Sequence, residues 1–295
     1  MKGIILAAGA GTRLYPASLP ISKILLPIYD KPMIYYPMST LMLAGIKDVL
    51  IITNETDCEN FKKLFADGSQ LGMNIEYKIQ YVQKGIADAF IIAQDFIGDD
   101  DVALILGDNI FYGPEFSTLM QNALKNNRGA TVFGYKVNDP ERFGVFEFDK
   151  TGKAISLEEK PKNPKSNYAV TGLYFYDSNV CKFAKQLSPS FRGELEITDL
   201  NKIYLEKGIL NVEILGEDFT WLDTGTHDSM LEAGNFIQAE EQKSSKKIAC
   251  LEEIALYNGF ITPDELKEHI RKYDNNNKYF NYISEKVIPH FTKNF

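Results

Sequence analysis

Residues 2–13, KGIILAAGAGTR, join an apolar, strand-like run to a loop of small residues that ends in an arginine. Small residues let backbone N–H groups approach an anion closely, and an arginine presents a planar fork that suits phosphate oxygens. The same pattern is typical of a tight strand-to-helix turn that binds nothing. Two other phosphate motifs are excluded, because Leu14 stands where a dinucleotide fingerprint needs its third glycine and the chain has no G-K-[ST] triplet.

Outward from this stretch, apolar and β-branched runs alternate with longer amphipathic runs. Strands are predicted at 3–6, 49–53, 75–80 and 102–106, and helices at 33–44, 59–65 and 87–96. This alternation predicts an α/β fold with a Rossmann-like mixed, largely parallel sheet flanked by helices.

The pattern changes after residue 130. Short strands separated by turn signals, such as Asn138-Asp139-Pro140, predict an antiparallel insertion at about 138–170. From about residue 229 the chain becomes helical and charged, and Thr262-Pro263-Asp264-Glu265 has the pattern of a capping box with proline at the first helical position. We therefore expect an α/β domain over residues 1–228 and a small helical C-terminal subdomain over residues 229–295.

Composition excludes several classes of partner. The net charge of -8 argues against a nucleic-acid partner, because binding to a phosphate backbone requires a basic face. The apolar stretches are too short to span a membrane, and Met1-Lys2 leads directly into a strand without a signal sequence, so we expect a cytoplasmic location. The three cysteines and three histidines have spacings that suit neither a disulfide framework nor a zinc site. A bound metal would therefore need oxygen ligands.

Two aspartates follow apolar strands in sharp turns. Asp108 lies in Leu106-Gly107-Asp108-Asn109, and Asp223 lies in the segment 221–225, WLDTG. Ligands of open α/β sheets bind at the carboxyl ends of strands, and two isolated carboxylates suit Mg²⁺, which also takes phosphate oxygens and water. Each turn taken alone is equally typical of an ordinary turn closed by its own side chain.

The segment that follows the glycine-rich loop carries a resemblance to a known family. Ser22-Lys23 precedes Leu25-Leu26-Pro27, and a strand, a G-x-G-T-R loop and a lysine before a Leu-Pro element resemble the signature of the sugar-phosphate nucleotidyltransferases. The resemblance implies that the loop wraps a triphosphate and that Arg13 and Lys23 contact its phosphates. The nucleotide-binding loop residues that it implies are Ala8, Gly9, Gly11, Thr12 and Arg13. It also places the two metal ligands at Asp108 and Asp223.

The resemblance implies binding residues for the base and the sugar as well. In the subgroup specific for thymine nucleotides, positions equivalent to Gln80 and Gly85 contact the base, and an amide can donate and accept hydrogen bonds at once. The implied sugar-phosphate residues are Asp108, Asn109, Gly144, Glu159, Lys160 and Val170. From the residues alone, Gln80 is more typical of a surface strand residue. Glu159 and Lys160 are equally typical of a solvated strand end, and Gly144 and Val170 of a loop glycine and a core residue.

The implied activity is the transfer of a nucleotidyl group from dTTP to glucose 1-phosphate, which forms dTDP-glucose for dTDP-sugar biosynthesis. Arg13, Lys23 and Lys160 would then be the catalytic residues, Mg²⁺ the cofactor and a homotetramer the assembly. The same chemistry with UTP is one alternative. A noncatalytic protein that binds nucleotide-sugars is another, although it would have little need for both aspartates.

Overall fold

The computed structural model describes residues 1–273 and 277–292, and within them nine strands form one mixed sheet. In chain order the strands are β1 (Lys2–Leu6), β2 (Pro27–Ile28), β3 (Lys31–Pro32), β4 (Asp48–Thr53), β5 (Asn74–Ile79), β6 (Val102–Leu106), β7 (Asn109–Tyr112), β8 (Ala130–Lys136), β9 (Gly144–Phe148), β10 (Ala154–Glu159), β11 (Tyr168–Tyr176), β12 (Leu210–Ile214) and β13 (Thr220–Asp223).

Helices lie between these strands and after them. In chain order they are α1 (Tyr35–Leu43), α2 (Cys58–Phe65), α3 (Asp88–Ile92), α4 (Gln94–Ile97), α5 (Phe116–Asn126), α6 (Val180–Ala184), α7 (Ile197–Glu206), α8 (His227–Ser244), α9 (Leu251–Tyr257), α10 (Pro263–Ile270), α11 (Lys278–Tyr282) and α12 (Ile288–Thr292). A single π-helical segment, Ile283–Val287, connects α11 to α12.

The sheet confirms the predicted fold class. Seven strands follow the order β10-β9-β11-β6-β1-β4-β5, while β8 pairs with β11 and β12 pairs with β8. Strands β6, β1, β4 and β5 are parallel, whereas β11 is antiparallel to both β6 and β8. The central strands are buried on both faces, as expected for parallel strands covered by helices, and Leu50, Ile51 and Ile52 of β4 have no exposed surface.

The segment predicted as an antiparallel insertion extends the sheet at one edge. Strands β9 and β10 are antiparallel to each other, and β9 also pairs with β11 through Val145 and Ala169. The insertion therefore brings its strands beside the carboxyl end of β6, where ligands of such sheets bind.

Three elements differ from the sequence-based predictions. The helix predicted at 87–96 consists of α3 and α4, which meet at Ala93 with ψ at 3°. Strands β7 and β13 form a two-stranded antiparallel ribbon that was not predicted, because four residues are too few to show a periodicity. Helix α5 was also missed, although Phe116, Met120 and Ala123 are buried at helical spacing.

The C-terminal helices pack against one face of the sheet. Leu251, Leu266 and Ile283 belong to the same hydrophobic cluster as Ile5 of β1. The capping box predicted before α10 is present, since Thr262 Oγ1 accepts a hydrogen bond from Glu265 N and Glu265 Oε2 accepts one from Thr262 N. The boundary between residues 228 and 229 stays a prediction. None of the described helices is long and apolar enough to cross a membrane.

Four charged side chains join the β2–β3 hairpin to α8 and are called here the ion cluster: Asp30, Lys31, Glu241 and Lys247. Lys31 Nζ lies 3.0 Å from Glu241 Oε1 and 2.5 Å from Asp30 Oδ1. Lys247 Nζ lies 2.8 Å from the other oxygen of Glu241 and also forms an ion pair with Asp30. Each ammonium group thus lies between two carboxylates.

Candidate active site

The glycine-rich loop packs directly on the side chain of Lys23. Gly11 has a φ of 63°, and a Cβ atom there would lie 3.1 Å from Lys23 Cβ. The Gly11 carbonyl accepts a hydrogen bond of 2.7 Å from Ser18 Oγ. Because residue 11 has a positive φ and its Cβ position lies close to Lys23, a side chain there would be strained and would require a small shift of Lys23. Thr12 and Arg13 follow in an exposed 3₁₀ turn.

Lys23 forms an ion pair with Asp108 at the end of β6. Their side chains are only 12% and 14% exposed. Burial by itself would raise the pKa of Asp108, but the charge of Lys23 and its hydrogen bond outweigh burial and hold this pKa below its usual value. The two predicted phosphate and metal residues are therefore in contact before any ligand binds.

The β7–β13 ribbon brings Asp223 beside Asp108. Asp223 pairs with Asn109 across the ribbon, and Thr224 donates two hydrogen bonds to the Asp108 carbonyl, from its backbone N at 3.0 Å and from Oγ1 at 2.7 Å. Burial and then the charge of Asp108 raise the pKa of Asp223, against the charges of nearby cationic side chains that include Lys23. The second carboxylate therefore lacks the close cation that Asp108 has.

Arg13 reaches the same turn from the glycine-rich loop. A Cβ atom on Gly225 would lie 2.6 Å from Arg13 Nη2, so the absence of a side chain at position 225 makes room for the guanidinium. Arg142, which was not predicted, also approaches from the 3₁₀ turn at 140–142, with Nη2 3.9 Å from Asp223 Oδ2. Two arginines therefore border the paired aspartates.

The donor set suits a hard divalent cation. Asp108 and Asp223 contribute carboxylate oxygens, and in the described part of the chain no group of three or more His, Cys, Asp or Glu residues is placed to hold a metal ion. Mg²⁺ is commonly held by one or two carboxylates together with substrate phosphates. The pair fits that pattern and does not fit a closed structural site.

Asn109 connects the phosphate region to the sugar region through its buried side chain. Its Oδ1 accepts hydrogen bonds from Trp221 Nε1 at 2.6 Å and from Gly172 N at 3.0 Å, and its Nδ2 donates to Asp108 Oδ1 at 3.1 Å. Gly172 lies where the pairing of β11 with β8 is interrupted. Contact of Asn109 with a sugar phosphate stays a prediction, whereas its hydrogen bonds give it a structural role that the sequence did not indicate.

The predicted base-contacting residues lie at the end of β5. Gln80 is 7% exposed, and its Nε2 donates a hydrogen bond of 3.0 Å to Asp88 Oδ2. Gly85 has a φ of 96°, and a Cβ atom there would lie 2.5 Å from the Leu195 carbonyl oxygen. Gln83 Nε2 donates to the Ala8 carbonyl at 2.9 Å, which joins this loop to the glycine-rich loop.

The predicted sugar residues converge on Gly144. A Cβ atom at this position would lie 3.4 Å from Glu159 Oε2, 3.5 Å from Val170 Cγ2 and 3.2 Å from Thr198 Oγ1. Thr198, which was not predicted, donates a hydrogen bond of 2.6 Å to Glu159 Oε2. The absence of a side chain at residue 144 therefore leaves space beside a carboxylate whose orientation is already set.

Two cations lie beside Glu159. Lys160 Nζ is 3.7 Å from Glu159 Oε1, and Lys160 has a φ of 45° with its backbone N donating to the Phe143 carbonyl. Arg192 Nη2 lies 3.4 Å from the same carboxylate oxygen, and hydrogen bonding to Glu196 raises the pKa of this guanidinium. No role had been predicted for Arg192.

Sheet order places these parts in a line. The base residues follow β5 at one edge, the glycine-rich loop and Asp108 follow β1 and β6, and the sugar residues lie on β9, β10 and β11. Neighbouring strands are about 4.8 Å apart, so β5 and β6 are about 14 Å apart. The residues predicted to bind the base and those predicted to bind the sugar thus flank the residues predicted to bind phosphate and metal.

The chain matches a family model described as nucleotidyl transferase over residues 2–240. It belongs to the nucleotidyl transferase family. The matched span contains every residue predicted to contact a ligand, whereas the helices after residue 240 lie outside it.

Two relatives of this nucleotidyl transferase share one enzyme name. It is 56% identical to the glucose-1-phosphate thymidylyltransferase of Neisseria meningitidis over 96% of this chain and 98% of the relative. It is 50% identical to the enzyme of the same name from Mycobacterium tuberculosis over 97% and 98%.

Solved structures give a similar result. A Bacillus anthracis crystal structure, described as a candidate glucose-1-phosphate thymidylyltransferase, is 43% identical with a TM-score of 0.74 over 80% of this chain and 94% of that chain. A UDP-glucose pyrophosphorylase at 24% identity and TM-score 0.71 shows the fold alone.

Proposed function

We propose that this nucleotidyl transferase is a glucose-1-phosphate thymidylyltransferase, which joins dTTP to α-D-glucose 1-phosphate and releases diphosphate. The observation that carries the proposal is the linear order of Gln80, a Lys23–Asp108–Asp223 centre and Glu159 across one sheet. This order matches a nucleoside triphosphate and a sugar phosphate that meet at the α-phosphorus. The relatives at 50% and 56% identity, named for this reaction, support it.

Mg²⁺ is the proposed cofactor, and Asp108 and Asp223 are the residues that would hold it. When bound, it would neutralise charge on the phosphate oxygens and on the departing diphosphate. The raised pKa of Asp223 agrees with this role, because a second carboxylate beside Asp108 gains most from a nearby cation.

The protein side chains position the substrates and neutralise charge. A phosphate oxygen of glucose 1-phosphate attacks the α-phosphorus in line, and diphosphate leaves, so no side chain has to act as nucleophile. Arg13 and Lys23 bind the triphosphate from the loop side, and Lys160 binds the sugar phosphate from the end of β10. Glu159 orients sugar hydroxyls, because Thr198 holds one of its oxygens and leaves the other facing two cations.

Nucleotide selection rests on Gln80 and the loop that ends at Gly85. An amide can meet the O4 acceptor and the N3–H donor of thymine together. Uracil presents the same edge, so UTP is the nearest competing nucleotide, and the proposed preference for dTTP has to be measured against it.

Diphosphate release from the purified protein tests the proposal directly. Glucose 1-phosphate and Mg²⁺ are supplied with dTTP, UTP, CTP, ATP or GTP in parallel, and we expect the fastest release with dTTP. Faster release with UTP would retain the chemistry and change the base assignment. No release with any triphosphate would overturn the proposal in favour of a protein that binds nucleotide-sugars without turnover.

A homotetrameric assembly and a cytoplasmic location complete the proposal. The assembly rests on the family resemblance, and the location rests on apolar stretches that are too short to span a membrane. Light scattering coupled to gel filtration tests the assembly, where a monomer or dimer at micromolar concentration would contradict it.

A further inference from the structure

The contact between Gln80 and Asp88 determines the orientation of the Gln80 amide. Both residues are at least nine-tenths buried, and the donor–acceptor distance is 3.0 Å. A carboxylate offers only acceptors, so the amide nitrogen of Gln80 has to face Asp88. Rotation of the amide by 180° would place its oxygen against a carboxylate oxygen in a buried site, which is unfavourable.

The backbone around this contact holds both partners in place. Gln80 N donates to the Thr53 carbonyl at 2.8 Å, and Ala87 N, one residue before Asp88, donates to the Leu195 carbonyl at 3.2 Å. The loop between them is held by Leu195 N, which donates to the Lys84 carbonyl at 2.6 Å. The amide therefore presents its remaining N–H and its oxygen in one fixed order.

We propose that Asp88 is a positioning residue for nucleobase selection, which fixes the amide of Gln80 so that the site accepts thymine and rejects cytosine. Thymine offers O4 as an acceptor and N3–H as a donor, whereas cytosine offers an N4 donor and an N3 acceptor. A fixed amide matches one of these edges, and an amide free to rotate matches both. The inference rests on the proposed function, in which Gln80 contacts the base.

A purely structural role for Asp88 makes a different prediction. A buried polar pair that only satisfies its own hydrogen bonds would lower stability when broken but leave the ratio of kcat/KM for dTTP over dCTP unchanged. The ratio between the two nucleotides is therefore the decisive measurement, since a general loss of folding affects both alike.

The experiment compares the wild type with Asp88→Ala and Asp88→Asn in diphosphate release with dTTP and dCTP at saturating glucose 1-phosphate. We expect Asp88→Ala to lower the dTTP/dCTP ratio by about tenfold, the effect of losing one well-placed hydrogen bond. Asp88→Asn, which can hold the amide in either orientation, should lower it by less. The matched control is Asp95→Asn on the neighbouring helix, where the side chain is 96% exposed and the ratio should not change.

A second set of variants ties the effect to Gln80. In a Gln80→Leu background the amide is absent, so the additional Asp88→Ala change should leave the ratio unaltered. Folded Asp88 variants that keep the wild-type ratio would overturn the proposal, as would an equal drop in the ratio with and without Gln80.

Equilibrium binding of dTTP and dCTP separates this inference from the proposed function, because it requires no turnover. Wild-type protein that prefers dTTP in binding, with a smaller preference in Asp88→Asn, supports the role of Asp88 even where diphosphate release fails. Wild-type protein that binds both nucleotides equally overturns the inference. Asp88→Asn preserves side-chain size, so it answers the question where Asp88→Ala does not fold.

Discussion

The ion cluster and the active centre both bury charged side chains, but they balance charge differently. In the ion cluster, Lys31 and Lys247 each lie between Asp30 and Glu241, so two cations face two anions. Glu241 also accepts a backbone hydrogen bond of 2.9 Å from Ile248 N. The cluster is closed, and all its partners belong to the protein.

The active centre is open by contrast. Lys23 pairs closely with Asp108, whereas Arg142 Nη2 lies 3.9 Å from Asp223 Oδ2. Burial and the charge of Asp108 raise the pKa of Asp223 despite the opposing charges of Lys23, Arg13 and Arg142. A ligand with both a cation and phosphates can complete this arrangement. In this protein, buried charges that lack a full set of oppositely charged partners lie at the candidate active site. Buried charges that have all their partners connect the β2–β3 hairpin to α8.

Opening the closed cluster should have the largest effect. Lys31→Met keeps a long side chain but removes one ammonium group, so Glu241 and Asp30 retain only Lys247. Breaking a buried pair costs about 3–5 kcal/mol of unfolding free energy, and because Lys247 remains we expect about 3 kcal/mol. Urea unfolding measures the change.

The control for this change is Lys243→Met on α8, the helix that carries Glu241. Lys243 is 78% exposed and pairs with Glu240 at 3.5 Å, so its removal should change the unfolding free energy by about 0–1 kcal/mol. Equal effects of the two changes would show that the ion cluster does not stabilise the fold as a closed unit.

Lys23→Ala should have the next largest effect, and on turnover. Losing one preorganised donor at a developing charge lowers turnover by about 10²-fold or more, equivalent to about 2.7 kcal/mol. The fold should be retained, because Asp108 keeps the hydrogen bond that Asn109 Nδ2 donates to its Oδ1. Diphosphate release and circular dichroism together test this, and a folded Lys23→Ala protein with near-normal turnover rules out the assigned role.

The smallest expected effect is on the free energy of unfolding and concerns Glu252 of α9. Its buried carboxylate is a third case to compare with the ion cluster and the active centre. Burial raises the pKa of Glu252 above its usual 4.5, although a hydrogen bond from Tyr279 opposes the shift. For an acid with a raised folded pKa, stability falls as pH rises from 4.5 through that pKa, because the folded state binds more protons. Glu252→Gln removes the titration and keeps an acceptor for the tyrosine.

Glu252→Gln should therefore raise the unfolding free energy at neutral pH, and the gain should disappear as pH falls below 4.5. Urea unfolding at several pH values measures it. A gain that is constant with pH would mean that the ionised form of Glu252 is not the source of the cost. Turnover should be unchanged, since Glu252 lies away from the open centre.

Local patterns were sufficient for part of this description. The capping box at 262–265 depends on residues three apart, and the strand at 102–106 depends on one apolar run, so both were predicted correctly. The family resemblance also rested on short segments, and the comparisons bear it out. The β7–β13 ribbon was missed because its two strands are short and far apart in the chain.

Three site residues were not predicted from the sequence, and the same physical reason explains all three. Thr198, Arg192 and Asp88 have their effect through a partner on another element, namely Glu159 for the first two and Gln80 for the third. Neither burial nor the strength of a charge interaction can be obtained from spacing along the chain, because both depend on distance in space.

The sequence by itself determined most of the strand and helix types, the loop of small residues, the kinds of charged groups available and the family. The tertiary structure alone decided that Asp108 pairs with Lys23 beside Asp223, that the ion cluster is closed and that Asp88 holds the amide of Gln80 in one orientation. Those arrangements depend on contacts between distant segments in a weakly polar interior, where packing sets both the geometry and the strength of each interaction.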